Sequence, residues 1–317
     1  MISDRLGAFW TCPHVAIFRD VLIGTHGMIM GTNFKVVRNA NNFFDFWYYS
    51  RNDTWRPDLW LQGEAAFMHP EKLPQIPLPN GRYVYGLYYF NKYAYGHLWD
   101  TIQSLKLVEE NQLDGMLLVH TDQSGITDFD VHMSIFGFPA DKRVELDVKK
   151  NVYYVPELVV PSLYAKPSCF KGSLKHWLLR KYRECPGLVL DDVPRKLYLS
   201  RQNAKQRCVI NEQRLIQQLS DFTVVTGQEP LREQIRLFHS AAFITGYHGA
   251  MFRNILFCNK RPRILEFCAA GREDHCFQDQ NETLDITDDY RFVLVDADER
   301  HCAYLDPKVI KSMVDEM

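Results

Sequence analysis

The sequence predicts an α/β protein of two domains, and three observations carry that expectation. The chain has 317 residues, against the roughly 100 to 200 that one domain usually takes. Its first half reads as short aromatic strands, whereas from about Gly172 helices and strands alternate regularly. With 46% hydrophobic residues it has apolar material for two cores that need neither disulfides nor a structural metal. The junction falls near Pro161 to Gly172, giving domains 1–165 and 166–317.

Taken in order, Val15 to Phe18, Val21 to Gly24 and Phe34 to Val37 are short apolar runs between polar or Gly-containing breaks, and they predict strands. Pro70, Pro74, Pro77 and Pro79 lead into Asn80-Gly81, a turn signal, and then into an aromatic strand at Tyr83 to Phe90. Leu98, Ile102, Leu105 and Val108 have the spacing of an amphipathic helix over 91–110, with strands expected at Met116 to Val119 and Val152 to Val160. Beyond Gly172, helices are expected at 173–185, 211–219, 231–240 and 248–258, and strands at 196–200, 223–225, 242–245 and 263–267. Such alternation implies right-handed crossovers on a parallel sheet, which binds its ligand at the carboxyl ends of its strands.

Charge narrows the partners. The 37 basic and 39 acidic side chains give a formal net charge of −2, which argues against nucleic acid as the main partner. No apolar run is long enough for a signal peptide or a spanning helix, so no membrane span and a cytoplasmic location are expected, unless an amino-terminal anchor has been removed. The sequons at Asn52 and Asn281 then carry no meaning, and the cysteines at 12, 169, 185, 208, 258, 268, 276 and 302, none in a Cys-x-x-Cys pair, read as reduced thiols.

Two segments carry candidate chemistry. In Ile244-Thr245-Gly246-Tyr247-His248-Gly249-Ala250 an apolar strand enters a glycine-containing turn and then an expected helix, whose unpaired N–H groups and dipole suit a phosphate. Gly246 and Gly249 let the backbone approach an anion, and His248 adds a donor; the segment also reads as an ordinary strand-to-helix turn. Arg201 and Arg207 follow an expected strand end on the same sheet edge, and the planar guanidinium suits phosphate oxygens.

These residues resemble glycosyltransferase family 61. The resemblance is carried by Ser200-Arg201, Arg207, Asn211-Glu212, Glu233-Gln234-Ile235-x-Leu237-Phe238, Ala241, Gly246-x-His248-Gly249-Ala250, Asn254 and Glu266, in order over residues 195–270. It implies a GT-B fold, with two Rossmann-like domains facing an interdomain cleft, and an inverting transferase that needs no metal or other cofactor. It further implies a UDP-sugar donor, UDP-xylose or UDP-GlcNAc, held by Arg201, Arg207, Gly246, His248, Gly249, Ala250 and Glu266, the last on ribose or sugar hydroxyls. The acceptor would be a glycan or glycoprotein in the first domain, against aromatic residues such as Trp55, Trp60 and Trp99. Tyr95-Gly96-His97-Leu98-Trp99-Asp100 is similar to the family's His-Asp motif and offers His97 and Asp100 as catalytic bases, Asp100 preferred. Met251-Phe252-Arg253 departs from the family pattern and would bring bulk and a charge to the sugar subsite.

Three rival readings are weighed. Asp296-Ala297-Asp298 follows an apolar strand and could hold a metal on a diphosphate, but only about twenty residues follow it; Asp128-Phe129-Asp130 lacks the strand. A relative that binds nucleotide or glycan without turnover is the non-enzymatic alternative, and an NAD-dependent oxidoreductase is disfavoured because no Gly-x-Gly-x-x-Gly opens a unit.

Overall fold

A computed structural model describes residues 13–24, 29–33, 72–86, 98, 102–121, 127–148, 150–162, 172–271, 275, 277, 278, 280 and 289–317. The chain divides into two compact units, Met1–Lys166 and Pro167–Met317, each with its own sheet.

In the first unit, β1 (Val15–Ile23), β2 (Ile29–Gly31), β3 (Gln75–Pro77), β4 (Arg82–Val84), β5 (Met116–His120), β6 (Arg143–Leu146) and β7 (Val152–Pro161) form one sheet. Their order is β2-β1-β7-β4-β5-β6, with β3 also on β7. β4, β5, β6 and β7 are parallel, and β1 adds an antiparallel edge with β2. The sheet is therefore mixed, where the resemblance implies a Rossmann-like parallel one. The two expected strands at 15–18 and 21–24 are one strand; Asp20 between them takes a left-handed φ of 52° and accepts a hydrogen bond from the Tyr154 hydroxyl. Helix α1 (Ser104–Glu110) buries Leu105, Leu107 and Val108, and its Ser104 hydroxyl donates to the Gly86 carbonyl just beyond β4. Helix α2 (Phe129–Ile135), which no periodic run announced, buries His132 and Met133 between β5 and β6 in sequence. The expected strand at 34–37 lies outside the described residues.

The second unit follows the expected alternation: α3 (Ser173–Arg183), β8 (Arg195–Leu199), α4 (Glu212–Gln218), β9 (Thr223–Val225), α5 (Leu231–His239), β10 (Ala241–Tyr247), β11 (Arg263–Ala269), β12 (Tyr290–Val295) and α6 (Pro307–Glu316). All five strands are parallel, in the order β12-β11-β10-β8-β9. Leu197, Tyr198 and Leu199 of β8 and Ile264 to Ala269 of β11 are buried without alternation, as a strand covered on both faces requires. The chain steps outward from β8 to β9 and then crosses back to β10 on the other side of β8. The strand order thus reverses between β8 and β10, and the crevice at their carboxyl ends is where doubly wound sheets bind ligands. Helix α6 starts on an Asp306 cap, whose carboxylate accepts from Lys308 N–H at 2.8 Å, with Pro307 at its first position.

The expected helix at 248–258 is a 3-10 run, Ala250–Phe257. Every residue from Phe252 to Phe257 is buried, so this segment is wedged into the interior on all sides and has no solvent face to sustain an amphipathic α-helix. Among the described residues, no helix is long and apolar enough to cross a membrane.

Candidate functional site

The carboxyl ends of β8 and β10 carry the two segments singled out in the sequence. Parallel register aligns Leu199, Gly246 and Glu266 across three strands. Gly246 is a steric necessity, because a Cβ there would lie 2.8 Å from the Leu199 carbonyl oxygen. Two residues on, the His248 N–H is held by the Phe267 carbonyl at 2.7 Å, which ties the turn to β11.

His248 Nδ1 lies 2.6 Å from Glu266 Oε1, with the two side chains 4% and 0% exposed. The second oxygen of Glu266 accepts from the Tyr290 hydroxyl. Both oxygens of this carboxylate are therefore engaged inside the protein, one on His248 and one on Tyr290. An ionised carboxylate only accepts, so Nδ1 carries the proton, and Nε2 accepts in the neutral ring and donates once the ring is protonated. Phe277 flanks the imidazole, with centroids 4.9 Å apart.

Arg201 begins where β8 ends. Its backbone N–H donates to Glu212 Oε1 at 2.9 Å, and the same buried carboxylate accepts from Tyr198 and Ser200 hydroxyls at 3.0 and 3.1 Å. Glu212 thereby fixes the strand end. The Arg201 side chain is oriented by carbonyls: Nε donates to the Arg207 oxygen at 2.5 Å and Nη2 to the Gln206 oxygen at 3.3 Å. Burial, then the like charge of Arg207, bring the Arg201 pKa down to about 10, against an opposing pull from Glu212. The guanidinium lies against Gly249, where a Cβ would stand 2.0 Å from Nη1. Gly249 itself is extended (φ −179°), so it is glycine for space and not for backbone freedom.

Arg207 takes a left-handed φ of 55° and donates its N–H to the Arg300 carbonyl at 3.0 Å. The next residue, Cys208, is disulfide-bonded to Cys302. This corrects the reading of all eight cysteines as reduced: the partners are 94 residues apart, a distance no local spacing rule spans. Between them the turn at 298–301 is organised by Asp298, whose Oδ1 accepts from Arg300 and Cys302 N–H groups, and the Tyr247 hydroxyl donates to the His301 carbonyl at 3.0 Å. Asp298 thus organises its own turn, and Asp130 pairs with Arg143 at 2.5 Å.

Ala250 opens the 3-10 run. Arg253 was expected to bring a charge to the sugar subsite, but it is buried: Nη1 donates to Gln280 at 3.1 Å, its carbonyl accepts from the same amide, and its guanidinium lies 5.3 Å from the Phe277 ring centroid. Asn254 donates to Gln234 at 2.9 Å, and Gln234 to the Glu229 carbonyl at 2.7 Å, joining the 3-10 run to the start of α5. Asn211 exchanges two hydrogen bonds with the backbone of Leu305. Most of the quoted motif residues therefore brace the crevice, while Arg201, Arg207, His248 and Gly249 gather at it. Tyr290, Cys208, Cys302 and the turn at 298–301 were not foreseen; each comes from a strand or loop distant in sequence. His97, Asp100, Trp55, Trp60 and Trp99 lie outside the described residues.

No curated protein matches the chain. The family described as Glycosyltransferase 61 matches residues 66–265, which is more than half of the sequence and runs from before β3 into β11. The chain belongs to glycosyltransferase family 61.

Proposed function

We propose that the chain is an inverting glycosyltransferase of GT-B form that moves a sugar from a UDP-sugar, UDP-xylose or UDP-GlcNAc, to a hydroxyl of a glycan or glycoprotein, without a metal ion. The observation that carries this reading is the half-buried Arg201 guanidinium, oriented by two carbonyl groups and set beside a second arginine at the point where the sheet order reverses. Carbonyl dipoles aim a guanidinium without cancelling its charge, so Arg201 keeps a positive charge that suits an anion. A diphosphate leaving from the sugar is such an anion. As the acceptor oxygen attacks the anomeric carbon and gives its proton to a base, Asp100 or His97, the bond to the diphosphate breaks and the electron pair leaves with UDP. Arg201 and Arg207 stabilise that charge, Gly249 makes room for the Arg201 guanidinium, and His248 contacts the donor through Nε2. The disulfide favours an oxidising compartment over the cytoplasm first expected.

The test is incubation with each nucleotide sugar, with and without EDTA, and measurement of released nucleotide. Release of UDP that survives EDTA and is lost in Arg207→Ala is expected. Consumption of GDP- or CMP-sugars only, or loss of turnover with EDTA, overturns the reading.

A further inference from the structure

We infer that the Cys208–Cys302 disulfide is a positioning element for donor binding: it fixes the backbone that aims both arginines, so affinity for the nucleotide diphosphate depends on the crosslink. This rests on the donor-site reading above. The covalent bond sits one residue after Arg207, whose left-handed φ of 55° is a conformation that an L side chain adopts at a cost and keeps only when its surroundings enforce it. Three constraints enforce it. The Arg207 N–H is held by Arg300, two residues before Cys302; the disulfide closes the other side; and the Ala303 N–H donates to the Cys208 carbonyl at 2.9 Å. The Arg207 carbonyl, turned by that conformation, is in turn what receives Arg201 Nε. One crosslink thus sets the side chain of Arg207 directly and that of Arg201 through a carbonyl.

The surrounding ladder survives loss of the bond. Val209 pairs with Ala303, the Ile210 N–H donates to the Ala303 carbonyl at 2.8 Å, and Asn211 holds Leu305. Reduction is therefore expected to loosen residues 206–208 and 300–302 while the sheet persists.

The experiment measures UDP affinity by calorimetry on the oxidised protein, on protein reduced with a phosphine, and on the Cys208→Ser/Cys302→Ser double variant, with free thiols counted by mass spectrometry. Reduction and the double substitution should each weaken UDP binding at least tenfold, and the double variant should be indifferent to the phosphine. Arg207→Ala supplies the readout that a general loss of stability would not give. If the crosslink acts through the arginines, reduction weakens UDP binding of that variant by a smaller factor than that of the unaltered protein, the remainder passing through the retained carbonyl to Arg201. Equal UDP affinity in oxidised and reduced protein, an additive effect of reduction in Arg207→Ala, or free thiols at both positions in protein purified from an oxidising compartment would each overturn the inference and leave the donor site standing. If oxidised protein does not bind UDP at all, it is the donor reading that fails, and this inference with it.

Discussion

Gly249→Ala separates the donor site from the fold. A methyl group at this position would stand 2.0 Å from Arg201 Nη1, 3.1 Å from Cζ and 3.5 Å from Cδ, so the clash is with the far end of one side chain and with no backbone atom. The backbone at Gly249 is extended and accepts alanine without strain. The guanidinium must retreat by more than an ångström, which breaks its bonds to the Arg207 and Gln206 carbonyls. A hydrogen bond from a charged group is worth about 1.5–3 kcal/mol, so losing one arginine contact to the diphosphate should weaken UDP binding roughly ten- to 150-fold. Calorimetry with UDP gives the affinity, and thermal unfolding of the unliganded protein gives the control, where only a small shift is expected. Unchanged UDP affinity, or unfolding of the variant, would refute the placement of Arg201 against this glycine.

Five further outcomes follow from the same structure. Gly246→Ala meets the Leu199 backbone oxygen at 2.8 Å in the middle of a parallel sheet and should cost about 1–3 kcal/mol of stability, read by denaturant titration. Arg201→Met should abolish UDP binding without destabilising the unliganded protein, because it relieves a buried like-charge contact; Arg236→Met should lower the melting temperature, because Arg236 binds Asp191 and Glu233. Glu266→Gln removes the carboxylate from His248 and reverses its tautomer, visible in nitrogen chemical shifts of the ring, with a loss of about 1.5–3 kcal/mol of donor interaction. Burial lowers the His132 pKa from 6.5 to about 3, so below pH 6.5 the unfolded chain takes up a proton that the folded chain does not. Stability should therefore fall by about 1.4 kcal/mol for each pH unit between those limits, and a His132 titration near 6.5 by NMR would refute this.

What the sequence disclosed follows the range of the interaction involved. The strands β8, β10 and β11 were legible because a strand covered on both faces needs an unbroken apolar run, and Gly246-x-His248-Gly249 was legible because glycine marks a close approach, here of the Leu199 carbonyl and of the Arg201 guanidinium. The 3-10 run was missed: Phe252, Ile255 and Leu256 have helical spacing, and only the burial of Arg253 and Asn254 as well shows that no solvent face exists. The partners of Glu266 were hidden for a related reason. Its place within a parallel strand is legible, but the β10–β11 register that puts it beside His248, and the β11–β12 pairing that brings Tyr290 to it, are tertiary facts. The disulfide is the extreme case, since its two sulfurs are brought together by the crossing of the chain from β12 back toward β8.

Arginines of this one domain differ in the groups that meet their charge. Arg195 and Arg236 share the carboxylate of Asp191, which these contacts hold well below its ordinary value of 3.8, and Arg236 also binds Glu233. Their charges are cancelled where they stand. Around Arg201 the nearby carboxylate, Glu212, accepts from the backbone N–H and from two hydroxyls, and the guanidinium donates to the Arg207 and Gln206 carbonyls. Glu212 offsets part of the Arg201 charge through space, against burial and the like charge of Arg207. A net charge of −2 over the whole chain is compatible with a local positive site, because an anion responds to the nearby charges more than to the total.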